Sequence, residues 1–283
     1  MHAMPTLKRQ RGFTLVELVM VIVIMGVIGG MVSVFMKSPI DAYFASARRA
    51  ALTDTADTTV RRIARDIQKA LPNSIRTPNS QCIEFIPTKT GGRYRAEELV
   101  VGDGTSLNFN ALDTRFNMLG GNSTFAGNPL PADQRIAVGD VIAVYNLGIT
   151  GADAYQQDNT SKVVAPAPSE SGSPVETSIT IASKLFPLAS GSNRFHVIPA
   201  EEKVVAYVCN LTTGTLHRSV NSTDFSSSCP ATGPILARNV SFCNFDYSGS
   251  DLQRNALIRM VLQFTDSAET VSLQHEVHVS NAP

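Results

Sequence analysis

Hydrophobic and polar positions divide this chain into three stretches with different periods. From Phe13 to Met36 the run FTLVELVMVIVIMGVIGGMVSVFM is apolar on every face, and Glu17 is its only ionisable side chain. As a helix it would be roughly 36 Å long, enough for a bilayer core of about 30 Å. From Ile40 to Leu71 the pattern becomes amphipathic. Ile40, Tyr43, Phe44, Ala47 and Ala51 form one apolar stripe, which Val60, Ile63, Ala64, Ile67 and Leu71 resume. Asp57–Arg61 and Arg62–Asp66 are expected as i,i+4 pairs on the polar side, and Pro72-Asn73 predicts the helix end.

Past residue 73 the period drops to two. QCIEFIP (81–87), Gly91-Gly92 and RYRAEELVV predict a hairpin. Residues 102–134 read as long surface loops with one helical turn near Leu112. RIAVGDVIAVYNLGI (135–149) reads as a strand pair or one bent strand, and APAPSESGSP (165–174) as a loop or linker. ETSITIAS, RFHVIPA, EKVVAYVCN, GTLHRSV, ILARNVSFCNFDY, ALIRMVLQF and ETVSLQHEVHVS then follow as strands at meander spacing. No βαβ alternation occurs, so the expected class is α+β: a long N-terminal helix with a mostly antiparallel head, as two sheets around one core.

Charge sets the orientation. Lys8, Arg9 and Arg11 precede the apolar run and Lys37 alone follows it, so the N-terminus is expected in the cytoplasm and the rest outside. No small-residue A-x-A site follows the run, as a secretory signal would require. The processing candidate is the Gly12–Phe13 bond before the run. An ordinary signal anchor is the competing reading.

KRQRGFTLVEL resembles the class III signal of type IV prepilins and type II secretion pseudopilins. The resemblance implies that a membrane aspartyl peptidase and methyltransferase cuts after Gly12 and methylates Phe13. It also implies that Glu17 directs filament assembly by pairing with a terminal amine of Phe13. Physics agrees with such a partner, because a carboxylate in lipid protonates or seeks a cation. Gly26 and Gly30 form a G-x-x-x-G pair suited to close helix packing, with Gly29 beside them. Many major pilins carry a proline where this chain has Val34; its first proline here is Pro39, a candidate kink. The strand-rich head resembles the larger minor pilins and J-type pseudopilins. The implied segments are a leader at 1–12, a membrane span at 13–36, an amphipathic half-helix at 37–72 and a head at 73–283. The implied partners are the prepilin peptidase, other pilin subunits and an inner-membrane assembly platform.

Composition adds little to this. Lys plus Arg and Asp plus Glu both number 24, so no global basic field points to nucleic acid. Arg48, Arg49, Arg61, Arg62 and Arg65 are interleaved with Asp54, Asp57 and Asp66, a solvated face. Cys82, Cys209, Cys229 and Cys243 fit two disulfides in an oxidising compartment, with three connectivities open. The expected one is Cys209–Cys229 with Cys82–Cys243. No C-x-x-C, P-loop, G-x-S-x-G or Rossmann pattern is present, and neither a cofactor nor an enzymatic activity is expected. His275 and His278 lie three apart on a strand and so face opposite ways. Asp103, Asp113, Asp133, Asp140, Asp153 and Asp158 sit in or beside loops, but their spacing matches no calcium loop.

Overall fold

A computed structural model describes residues 12–124, 126–226, 229–230, 232–247 and 255–283; the leader cations Lys8, Arg9 and Arg11 lie outside these. The chain forms two compact units, 1–51 and 52–283. Helix α1 (Leu15–Ile67) runs on through Pro39 and ends at Ile67, before the Pro72 that the sequence marks as the stop. A turn follows at once, in which Ala70 donates to the Ile67 carbonyl and Leu71 to that of Ile86. Within the second unit, Leu52, Ala56, Thr59, Val60, Ile63, Ala64 and Ile67 are the buried face of α1. Their spacing of three and four is that of a single apolar stripe.

That stripe packs on two antiparallel sheets. The first has five strands in the order β1-β2-β10-β11-β12. These are β1 (Arg76–Asn79), β2 (Cys82–Phe85), β10 (Val204–Asn210), β11 (Thr215–Asn221) and β12 (Ile235–Arg238). The second is a meander of β13 (Val240–Tyr247), β14 (Asn255–Asp266) and β15 (Glu269–Ser280). Ile83, Phe85, Tyr207, Phe245, Ile258 and Phe264 join the helix residues in one core. The stretch ILARNVSFCNFDY, expected as one strand, is divided between the sheets at Asn239, whose φ of 63° breaks the extended backbone. Asparagine tolerates that left-handed region better than most residues.

Between β2 and β10 the chain builds a second core. Its strands are β3 (Thr90–Arg93), β4 (Asp113–Leu119), β5 (Val141–Val144), β6 (Thr160–Lys162), β7 (Ser169–Ser171), β8 (Glu176–Lys184) and β9 (Arg194–Ile198). They form sheets of order β3-β9-β5-β6 and β4-β8-β7, enclosing Phe116, Ile142, Ile179, Phe186, Phe195 and Val197. The single core expected from sequence is therefore divided, these two being the largest clusters among the described residues. Strand β5 serves both sides: Ile142 and Val144 enter this core, while Val141 and Ala143 pack with Leu71, Ile86 and Ile198. Burial on both faces is why VIAV reads as an unbroken apolar run.

Two further expectations fail here. Gly91-Gly92 make no hairpin turn; they lie within β3, which pairs with β9. A Cβ on Gly91 would meet the Phe195 carbonyl at 2.7 Å, and one on Gly92 the Met118 sulfur at 2.6 Å. The glycines permit close approach of backbones, not reversal. The helical turn near Leu112 is absent as well. DTRFNML is β4, held by its register with β8 (Phe116 opposite Ile179, Met118 opposite Thr177).

The disulfides are Cys82–Cys229 and Cys209–Cys243, not the pairs expected from sequence. The reason is sheet parity. Cys82 is opposite Val208 in the ladder, so it shares a face with Val208 and points away from Cys209. Cys209 faces the helix-side core, where Cys243 also lies, while Cys82 packs with Ala206, Val208 and Cys229 on the other side.

Candidate processing and assembly segment

The helix start is built by Thr14. Its Oγ1 accepts from the Glu17 backbone N–H at 3.3 Å, and its carbonyl accepts from Leu18 N–H at 3.1 Å. Thr14 is thus the N-cap and Glu17 the third helical residue, one half of a capping box. The T-x-x-E spacing carries this signal in the sequence, beside the assembly role expected of Glu17. A carboxylate in the first turn also sits favourably against the positive end of the helix dipole.

Gly12 and Phe13 precede the helix in exposed chain without regular structure, with Phe13 at 83 % exposure. Every described residue from Gly12 to Asp41 is exposed. Isolated in water, such a surface would be untenable by its area alone, so it belongs in lipid or against other apolar helices. α1 is the one helix among the described residues long and apolar enough to cross a membrane. A Cβ on Gly26, Gly29 or Gly30 would meet nothing within 4 Å. Nothing in this chain itself requires glycine there, and the helix is unbroken at these positions. Ile40, Tyr43 and Phe44, the first half of the expected stripe, are exposed too.

At its far end α1 is tied by charge. The Asp57–Arg61 pair forms at 2.7 Å on the exposed side. The expected Arg62–Asp66 pair is replaced: Asp66 accepts from the Tyr207 hydroxyl at 2.7 Å and from Arg218 Nε at 2.9 Å. Arg218 also grips Glu202 with two nitrogens at 2.9 and 3.0 Å. A half-buried, charge-assisted network outweighs an exposed i,i+4 pair worth a few tenths of a kcal/mol. Burial and Asp66 together push the Tyr207 phenol well above its ordinary value.

The other candidate groups are dispersed. Asp140 is buried against Lys89 at 2.7 Å, and Asp153 caps a short 3-10 helix (Ala154–Gln156) and pairs with Arg76 at 2.7 Å. Asp103 accepts from Thr105 within its own loop. His275 is half-buried and His278 exposed, on opposite faces of β15 as expected. Cys82, Glu84 and Cys229 come together, but the two sulfurs are bonded to each other and offer no thiolate.

His196 in β9 is half-buried, and its Nε2, shielded from solvent, has no hydrogen-bond partner among the described residues. Burial first, and the Arg194 charge second, lower its pKa to about 4. The folded state therefore favours the neutral ring. Stability from this residue is complete above the ordinary value of about 6.5 and is lost as pH falls toward about 4. The loss should be on the order of 3 kcal/mol. Melting temperature followed from pH 7 to pH 4 should fall across this window, and His196→Leu should flatten the profile; an equally steep fall in the variant would remove His196 as the cause.

Comparison with known proteins bears on this N-terminal segment. A family model described as the prokaryotic N-terminal methylation motif matches residues 7–33. Neither the comparison with curated proteins nor that with solved structures gave a match. The matched stretch holds Gly12, Phe13, the Thr14 cap, Glu17 and the Gly26–Gly30 pair. A prepilin-type methylation motif followed by a membrane-capable helix and an antiparallel β head supports the type IV pilin and pseudopilin class, with the processing by prepilin peptidase that this class implies.

Proposed function

We propose that the chain is a minor pilin of a type IV pilus, a structural subunit and not an enzyme. The single observation behind this is the exposed apolar helix, capped at Thr14 two residues after Gly12 and carrying Glu17 in its first turn. The stretches CIEFIPTKTGGRYRAEEL and LQHEVHVSNAP further resemble MshO, a biogenesis protein of the mannose-sensitive haemagglutinin pilus, which makes that pilus type the specific reading. The same stem supports a second reading, a J-type pseudopilin of a type II secretion machine. The loop segments 102–112 and 120–134, on either side of β4, keep a tip adhesin as a third.

In this reading the protein enters the inner membrane with its N-terminus cytoplasmic and its head periplasmic. The peptidase cuts after Gly12 and Phe13 is methylated. The helix then moves from lipid into a bundle of like helices, an exchange of one apolar surrounding for another. Glu17 selects the register by pairing with the amine of Phe13. An assembly platform drives the transfer.

Mass spectrometry of membrane-purified protein tests the reading directly. A mature chain beginning at N-methylated Phe13 is the expected result. A chain beginning at Met1 would make α1 an ordinary signal anchor, and the assembly role of Glu17 would go with it.

A further inference from the structure

Strands β3 and β9 bring two arginines face to face: Arg93 is opposite Arg194 in the ladder. Tyr94 N–H donates to the Asn193 carbonyl at 2.8 Å, so the next pair inward is non-hydrogen-bonded, the kind whose side chains stand closest. Like charges directly opposite on a sheet repel. Other arginines of the head meet carboxylates, Arg76 with Asp153, Arg95 with Glu176 and Arg218 with Glu202. Arg93 and Arg194 make no ion pair among the described residues. Two cations held together without an acid call for an anion from outside.

The same face holds a place for one. Both arginines, Gly91 and His196 line a cleft of about 360 Å³. Gly91 is opposite His196, and a Cβ on it would lie 3.7 Å from His196 Nδ1, so glycine keeps the space beside the ring open. His196 Nε2 is shielded from solvent and has no partner among the described residues. On the other flank β5 places Ala143 opposite His196 and so brings no charge there. The charge that acts on the ring is that of Arg194, which adds to burial in holding its pKa down. At this volume, near the low end of the roughly 300–1,000 Å³ of small-molecule sites, the occupant is small. Guanidinium groups take oxyanions by paired hydrogen bonds. Two of them balance the two charges of a phosphate or sulfate monoester, where a carboxylate supplies one. A polynucleotide would need a basic track, and this chain has 24 cationic and 24 acidic residues.

We propose that the cleft between Arg93, Arg194 and His196 binds a doubly charged tetrahedral oxyanion, the phosphate or sulfate group of a small monoester. The two guanidinium groups hold its oxygens from either strand, and a ring N–H of His196 donates to it. The site lies wholly within the head and does not depend on which filament carries the chain.

The test uses the full chain in detergent micelles, with its histidine rings labelled for NMR and the His196 signals identified through His196→Gln. Sodium sulfate and sodium phosphate are titrated in at an ionic strength held constant with sodium chloride. Both anions should move the His196 signals saturably. Arg93→Gln and Arg194→Gln should each weaken binding at least tenfold, and Arg135→Gln, in a different cavity, should leave it unchanged. Glucose 6-phosphate and glucose 6-sulfate should bind at least as tightly as the free ions, and the tighter identifies the ester. Phosphate loses a charge below about pH 6, so sulfate, which keeps both, serves for the acid range. Saturating sulfate should move the His196 titration from about 4 toward the ordinary 6.5, because an anion beside the ring favours its charged form. Five outcomes would each overturn the proposal: no saturation, a shift that chloride alone reproduces, binding indifferent to both arginine changes, esters bound more weakly than the free ions, or an oligonucleotide bound more tightly than either ester.

Discussion

A chain carrying Gly12→Val is expected to keep its leader, to read Met1 at its N-terminus by mass spectrometry, and to be missing from sheared filaments. Glu17→Ala should behave differently: processed to Phe13, present in the membrane, and depleted from filaments by a hundredfold or more. The first effect is local to the scissile bond. Gly12 sits in exposed chain before the helix, with open space about it, and a branched side chain there is expected to keep the peptidase from the scissile bond. The second follows from electrostatics, because a carboxylate within lipid gains several kcal/mol from a cationic partner, and a hundredfold is about 2.7 kcal/mol. The Thr14 cap supplies the control. Glutamine at position 17 keeps a capping-box side chain but not the charge. If Glu17→Gln assembles as well as the unmodified chain, the residue acts as a helix cap and the charge-pairing role fails.

Removing the Cys209–Cys243 bond with paired serines should lower stability by about 4 kcal/mol, from the closed loop of 34 residues alone. For a head of this size that corresponds to roughly 10 °C in melting temperature, followed by near-UV circular dichroism. The large effect has a structural reason. The bond joins β10 of the first sheet to β13 of the second, and α1 packs across both. Cys82–Cys229 closes a longer loop, with a separation of 147, and pins the segment before β12 to β2. Non-reducing peptide mapping separates this arrangement from the alternative. Peptides linking Cys209 to Cys229 would show that the sheet parity described above is wrong.

The expected disulfides fail because face parity, not sequence separation, decides which cysteines meet. Cys209 and Cys229 are near in sequence, yet Cys209 points into the helix-side core and Cys229 packs with Cys82. Likewise Asp66 was legible as the partner of Arg62, four residues away, but not as the partner of Tyr207 and Arg218, which only folding brings near. The strand β4 was hidden for the same reason: its period is short, its flanks are turn residues, and it is fixed by β8 some sixty residues later.

What the sequence determined by itself is everything carried by contiguous residues. The apolar length from Phe13 to Met36, the Gly-Phe junction, Glu17 in register and the amphipathic stripe that resumes at Val60 are local patterns, and a helix is a local structure whose bonds span four residues. The late strands were legible because each alternates within its own few residues. The tertiary structure alone decided which strands share a sheet, that residues between β2 and β10 enclose a core of their own, and which cysteines meet. It also decided that Gly91 and Gly92 admit a neighbouring backbone and do not reverse the chain. Each of these depends on partners distant in sequence, and an alternating pattern tells a strand which way to face without saying what it will face.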